Sequence, residues 1–64
     1  MPIVTVELLE GRSIEQKKQL VEGITETLVN IGASREAVRI IIRDIPKCNL
    51  ARAGVLASEQ IQDK

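Results

Sequence analysis

The 64-residue sequence predicts an α/β (α+β) fold: one βαβ unit with parallel strands and a short C-terminal hairpin or arm, in a single domain over residues 1–64. Three observations predict it. In the N-terminal segment, apolar residues recur at every second position, as in a strand. In the next segment they recur at helical spacing between two caps, and a second run rich in β-branched residues follows. A strand, a helix and a strand within 45 residues form a unit whose strands are parallel and whose crossover is right-handed.

The first strand is predicted over Pro2 to Leu9, and Gly11 ends it. Strand side chains point alternately to two faces, so every second residue from Val4 to Leu8 shares one face. That face is entirely apolar, whereas the opposite face mixes apolar and polar residues.

A helix is predicted between two caps. Ser13 and Gln16 form a capping box at its start, and Gly32 is a suitable C-terminal stop. The apolar residues at helical spacing are Leu20, Ile24, Leu28 and Ile31. The solvated side is assigned to Lys17, Lys18, Glu22 and Glu26.

The second strand is predicted over Val38 to Ile45, after one short turn that Ser34 caps, and Pro46 closes it. It is apolar on both faces except at Arg39, Arg43 and Asp44. Such a strand suits burial by subunit contacts. Residues 47–64 supply the hairpin or docking arm.

The size of the chain predicts self-association. A domain this short buries only about 60% of the surface that its unfolded chain exposes. Phe, Tyr and Trp are absent, so the core must come from 21 Ile, Leu and Val residues. Ordering the chain costs about 1.5 kcal/mol per residue, which a lone aliphatic core barely offsets. Two strands do not form a stable sheet alone. We therefore expect an obligate oligomer.

Composition disfavours several classes of protein. The formal charge is zero, from nine basic and nine acidic residues, and the basic residues do not cluster, so no nucleic-acid partner is expected. No apolar run approaches a membrane span, and no targeting segment is recognisable. The single Cys48 excludes an intramolecular disulfide and fits a reducing cytoplasm. Without histidine, neither a metal site nor an activated cysteine is expected, and no cofactor is predicted.

Pro2 is the first candidate for chemistry. If Met1 is removed, Pro2 becomes a free secondary amine at the start of a strand. The pKa of an α-amino group is about 7.7–8.0, closer to neutrality than that of any lysine. A base poised near the working pH is what proton transfer needs. Alternatively, proline is merely tolerated there, because the first residue of a strand need not donate to the ladder.

Arginines are the other candidates. Parallel pairing puts the starts of both strands at one end of the sheet, so Arg39 is expected near Pro2. Arg12 lies past the other end, roughly 30 Å away by strand rise. Pro2 and Arg12 of one chain therefore cannot share a substrate, but those of different chains can. An amine flanked by guanidinium groups would bind a small dianion. Arg43 and Arg52 are interpreted as solvated surface charges.

The residues carry a resemblance to a known family. The N-terminal Pro2-Ile3, the block Leu9-Glu10-Gly11-Arg12-Ser13 followed by Glu15-Gln16-Lys17, and the stretch 38–42 resemble the 4-oxalocrotonate tautomerase family. The resemblance covers nearly the whole chain. It implies a homohexamer, a trimer of βαβ dimers, that acts on an enol dicarboxylate such as 2-hydroxymuconate without a cofactor or metal.

The resemblance also implies roles for single residues. Pro2, freed by removal of Met1, matches the catalytic base, and Arg12 matches the ligand of the distal carboxylate. Arg39 matches the residue that binds the reacting end and stabilises the developing enolate. Leu50 stands where the family has a phenylalanine that lines an apolar wall beside the proline. Arg52, in an altered glycine-rich segment, is either an extra carboxylate ligand or a replacement on an oligomer surface.

Two rival functions remain open at this point. The first is a hydratase or dehalogenase acting on a short unsaturated acid, which needs a water-activating carboxylate near Pro2 that the sequence does not clearly supply. The second is a non-catalytic, oligomer-forming relative, since a retained Met1 would make the Pro2 nitrogen an amide without a basic lone pair.

Overall fold

The computed structural model describes residues 1–60 and contains the predicted βαβ unit. Strand β1 spans Ile3–Leu9, helix α1 spans Ile14–Asn30 and strand β2 spans Arg39–Ile45. The two strands pair in parallel, in register from Ile3 opposite Arg39 to Leu9 opposite Ile45. The fold class is therefore confirmed. The last four residues of the predicted domain and arm, 61–64, lie outside the described residues.

The two faces of β1 differ as the alternation predicts. Val4, Val6 and Leu8 are half-buried, whereas Ile3 and Thr5 on the other face are exposed. Val4 lines a groove with the inner residues of α1, among them Leu20, Ile24 and Leu28. One face of the sheet therefore packs against the helix and the other is open.

Both ends of α1 are closed by the predicted caps. The Gln16 amide donates to Ser13 Oγ at 3.1 Å, and the Ser13 amide donates to Gln16 Oε1 at 2.9 Å. These two bonds form the capping box. At the other end the Ala33 amide donates to the carbonyl of Leu28 at 3.0 Å, around Gly32 with its φ of +115°. This is the Schellman arrangement, which needs a left-handed residue.

The prediction for two helix residues was wrong. Ile31 is the C-cap and is 78% exposed, because the chain has already left helical geometry when it reaches this residue. Lys17 does not lie on the solvated side: its ammonium pairs with the Asp44 carboxylate at 2.6 Å. The predicted cap at Ser34 precedes a 3₁₀ turn, Arg35–Ala37, but its side chain does not bond the backbone there.

The C-terminal segment forms a hairpin. Strands β3, Ala51–Arg52, and β4, Val55–Leu56, pair antiparallel across a two-residue turn. Ala53 and Gly54 form that turn with φ of +55° and +82°. Positive φ at both central residues is the type I′ pattern that matches strand twist. Two 3₁₀ turns, Lys47–Asn49 and Ala57–Glu59, flank the hairpin.

Residues 1–60 of a single chain enclose almost no core. Among residues 1–60 only Ala57 is buried, with 8% of its surface exposed. The radius of gyration is 14.9 Å, against about 11 Å for a compact chain of this length. Large apolar side chains are exposed on several elements: Met1, Ile3, Ile14, Ile31, Ile41, Leu50, Val55 and Leu56. Patches of this kind mark interaction surfaces in soluble proteins.

Candidate active site

Pro2 and Arg39 meet at the end of the sheet where both strands begin. The Arg39 amide donates to the carbonyl of Pro2 at 3.0 Å. Pro2 is half-buried, whereas Met1 before it is 78% exposed. The proximity expected from parallel pairing is therefore present. Because proline has no N–H, its nitrogen is not needed by the strand ladder and remains free for other contacts.

The Arg39 side chain is exposed and held at one point. Its Nη1 donates to the carbonyl of Glu36 at 2.9 Å, in the 3₁₀ turn just before β2. A guanidinium carries five N–H donors, so this bond leaves four for a ligand. The turn thus fixes the side chain without using up its capacity to bind an anion.

Arg12 lies at the opposite end of the sheet, in the loop between β1 and α1. Strand β1 has seven residues, which separate the two ends by roughly 23 Å. Arg12 lines a cavity of about 480 Å³ together with Leu8, Gln16, Lys17, Gln19 and Leu20. Within one chain Arg12 and Pro2 are therefore far apart, as the sequence predicts.

Lys17 is a second basic residue of this cavity that the sequence reasoning missed. It precedes Leu20 by three residues and Ile24 by seven, which is the spacing of the inner helix face. That spacing was the indication that it turns toward the sheet. Its ion pair with Asp44 joins the start of α1 to the end of β2.

The loop that carries Arg12 is fastened to the segment after β2. The Glu10 amide donates to the carbonyl of Ile45 at 2.9 Å, and the Glu10 carboxylate accepts from the Lys47 amide at 3.3 Å. Glu10 was not among the predicted site residues. These bonds hold the loop of Arg12 beside the turn that leads to Leu50.

Leu50 stands at the Arg12 end and not at the Pro2 end. Its carbonyl accepts from the Ala57 amide at 2.7 Å, and its side chain is 43% exposed. A second cavity, of about 270 Å³, lies between β1 and the hairpin. Its lining residues are Leu9, Leu50, Ala51, Arg52, Ala57 and Gln60. The candidate residues thus fall into two groups within one chain, Pro2 with Arg39 at one end and Arg12 with Leu50 at the other.

Other kinds of site find little support in the described chain. Within residues 1–60 no cluster of three or more His, Cys, Asp or Glu residues is placed to hold a metal ion. Cys48 is exposed, and its thiol lies 3.5 Å from Asn49 Oδ1. None of the helices in this range is long and apolar enough to cross a membrane.

Comparison with known proteins gives the family. The family model described as "Tautomerase enzyme" matches residues 2–60, almost the whole chain. The chain belongs to the tautomerase family. The resemblance noted at Pro2, at the block around Arg12 and at the second strand is thereby confirmed.

Individual tautomerases agree in sequence and in fold. The 2-hydroxymuconate tautomerase of Comamonas testosteroni is 48% identical over 60 residues, covering 92% of this chain and 95% of that protein. The crystal structure of YwhB, a homologue of 4-oxalocrotonate tautomerase, superposes with a TM-score of 0.88 at 43% identity, covering 94% of this chain and all of YwhB. A heterohexamer 4-oxalocrotonate tautomerase from Chloroflexus aurantiacus superposes at 0.83 with 28% identity, covering 92% of this chain and 97% of its own.

Proposed function

We propose that this tautomerase converts an enol dicarboxylate such as 2-hydroxymuconate to its conjugated keto form. The proposal is supported by the 48% identity to a 2-hydroxymuconate tautomerase over nearly the full length of both proteins. The observation that carries it is the bond from the Arg39 amide to the Pro2 carbonyl. It joins Pro2, whose nitrogen becomes an amine when Met1 is removed, to a guanidinium-bearing residue at one end of the sheet.

Pro2 acts as the general base once Met1 is removed. Its secondary amine takes the proton of the enol hydroxyl, the oxygen becomes a carbonyl, and the electron pair of the enol shifts along the conjugated chain. The same nitrogen then returns the proton to carbon. Met1 is 78% exposed, which supports access for the enzyme that removes it. In the proposed site the Arg39 guanidinium faces this amine, and a cation beside an amine favours the neutral form.

Arg39 binds the reacting end of the substrate and stabilises negative charge as it develops on oxygen. Fixed donors aimed at developing charge are a strong source of rate acceleration. Its bond to the Glu36 carbonyl supports this role, because it anchors the guanidinium and leaves other donors available. Arg12 and Leu50, which lie at the other end of the sheet, come from neighbouring chains: Arg12 holds the distal carboxylate, and Leu50 forms an apolar wall beside the amine.

The site is completed by other chains of a homohexamer, a trimer of dimers. Pro2 and Arg12 stand at opposite ends of a seven-residue strand, so one substrate contacts both only if they come from different chains. The scarcity of buried residues among residues 1–60 of one chain supports self-association as well, and so does the pairing of β1 with β2 in a two-stranded sheet. The Chloroflexus aurantiacus relative is itself a hexamer, although a mixed one.

The remaining parts of the proposal concern surroundings and cofactors. The reaction needs no metal or organic cofactor, because a proton moves between oxygen and carbon with an amine as carrier. The free, exposed Cys48 supports a reducing cytoplasm as the location. We further propose that the chain is one domain over residues 1–64, with no nucleic-acid or membrane partner. A role in aromatic catabolism follows if 2-hydroxymuconate is the physiological substrate.

An absorbance assay tests the function. Protein whose mass shows a free Pro2 is mixed with 2-hydroxymuconate, and loss of the enol band and growth of the keto band are followed against a protein-free control. Conversion that exceeds the control and scales with protein concentration supports the proposal. Absence of conversion by a correctly processed, assembled protein would refute it.

A further inference from the structure

Within residues 1–60, the cavity beside the hairpin is lined by one charged residue. Five of its six lining residues are apolar or carry a neutral amide, and Arg52 is the exception. Leu50 and Arg52 are two residues apart, so in the extended chain entering β3 they share a face. A guanidinium beside an apolar wall suits a ligand that combines an unsaturated carbon chain with an oxyanion.

Arg52 is held in place by the backbone and not by a carboxylate. It pairs with Val55 across the tight turn at Ala53 and Gly54, which limits where its Cα can move. Within residues 1–60 the ion pairs are made by Lys17, Arg35 and Arg43, and none involves Arg52. No carboxylate of the described residues therefore occupies the Arg52 guanidinium, and its donors remain available to a ligand.

We propose that Arg52 is a substrate-binding residue that selects a dianionic substrate over a monoanionic one. It adds a second guanidinium to the end of the sheet that carries Arg12 and Leu50. A planar guanidinium matches a carboxylate through two parallel hydrogen bonds. This inference rests on the proposed function in one respect: that the substrate is an unsaturated acid lying against Leu50.

The test compares Arg52→Leu with Arg52→Lys and with a matched control, Lys18→Gln. Leucine keeps an apolar lining without charge, and lysine keeps the charge without the fork. Lys18 is exposed on α1 and lines neither cavity, so Lys18→Gln is a control for the loss of one positive charge. Native mass spectrometry first establishes that each variant assembles like the parent. The kcat/KM of each is then measured with 2-hydroxymuconate and with an enol monocarboxylate that ends in a methyl group.

Arg52→Leu is expected to lower kcat/KM for the dicarboxylate about 10- to 100-fold, chiefly by raising KM. This fold-change corresponds to the loss of one charged hydrogen bond. The value for the monocarboxylate should be unchanged or higher. Arg52→Lys should fall between, and Lys18→Gln should match the parent. An equal effect of Arg52→Leu on both substrates, or none, would overturn the inference. If Arg52→Leu does not assemble, Arg52→Lys decides, and a kcat/KM ratio for the two substrates equal to that of the parent would overturn the inference.

A binding measurement separates this inference from the proposed function. Hexa-2,4-dienedioate and hexa-2,4-dienoate, which lack the enol, differ only in one carboxylate and serve as calorimetric probes. If the parent is inactive but Arg52→Leu abolishes its preference for the dienedioate, the anion site stands and the tautomerase proposal fails. If the parent is active but both proteins bind the two probes alike, the tautomerase proposal stands and the role of Arg52 is refuted.

Discussion

The amide nitrogen of Arg39 lies 3.0 Å from the carbonyl oxygen of Pro2, and this bond begins the pairing of the two parallel strands. It ties the position of the N-terminal residue to the position of an arginine 37 residues later. Pro2 is thereby held through its carbonyl, and its nitrogen is left outside the ladder. An amine produced by removal of Met1 would inherit this fixed position.

The first prediction concerns Pro2. Protein with a free Pro2 should be active, and protein that keeps Met1 should lose about 100-fold or more of its activity, since an amide nitrogen is not a base. The kcat/KM should rise with pH and level off once the amine is deprotonated. Because a guanidinium that faces the amine in the proposed site would favour its neutral form, we expect this pKa below the ordinary α-amino range of about 7.7–8.0. Intact mass and a pH series on one enol substrate measure both effects.

A second variant, Leu50→Phe in the protein with a free Pro2, tests the cause of the lowered pKa. A larger apolar wall should lower the pKa of the Pro2 amine further, because it disfavours the charged form of the amine more. Full activity in the chain that keeps Met1 would rule out Pro2 as the base.

The second prediction separates the two arginines. Arg12→Ala should raise KM for a dicarboxylate about 10- to 100-fold with little change in kcat, since a remote carboxylate is held equally in ground and transition states. Arg39→Ala should lower kcat about 100- to 1000-fold, because it faces charge that grows during the reaction. Steady-state kinetics distinguish the two variants. A monocarboxylate enol is the control substrate, and Arg12→Ala should leave its KM and kcat unchanged. Equal effects of both changes on both substrates would contradict the assignment.

The third prediction concerns assembly. The folded protein should be a hexamer at micromolar concentration, and its melting temperature should rise with protein concentration, because folding and association are linked. Ile41→Glu should dissociate and unfold it, since Ile41 lies on the open face of the sheet and is 45% exposed in one chain. Lys18→Glu on the outer side of α1 is the control. Sedimentation and circular dichroism follow both, and a compact, stable monomer would contradict the prediction.

The fourth prediction concerns the hairpin turn. Ala53 has a φ of +55°, a left-handed conformation that costs a residue with a Cβ about 1–2 kcal/mol. Ala53→Gly should therefore raise the free energy of unfolding. The gain should stay within about 1 kcal/mol per chain, because glycine also gains entropy in the unfolded state, which offsets part of the relieved strain. Gly54→Ala, at a φ of +82°, should lower it by a similar amount. Thermal unfolding at one fixed protein concentration measures both, and effects of the same sign would contradict the argument.

Local rules determined most of the secondary structure from the sequence. The capping box of Ser13 and Gln16 and the stop at Gly32 depend on bonds between residues at most five apart, so spacing alone predicts them. The alternation of β1 predicts its two faces for the same reason. The parallel pairing also followed, because a strand, helix and strand this close together have one favoured topology.

Tertiary structure alone decided the contacts between distant segments. The pairing of Lys17 with Asp44 and the shared cavity of Leu9, Leu50 and Arg52 join residues 27 to 43 positions apart. Such contacts depend on loop paths, which single-residue propensities do not encode. The same holds for the position of Leu50 at the Arg12 end, whereas the separation of Pro2 from Arg12 already followed from the predicted strand. Pro2 and Arg12 lie within ten residues of each other in sequence, yet a rigid extended strand keeps them apart in the folded chain.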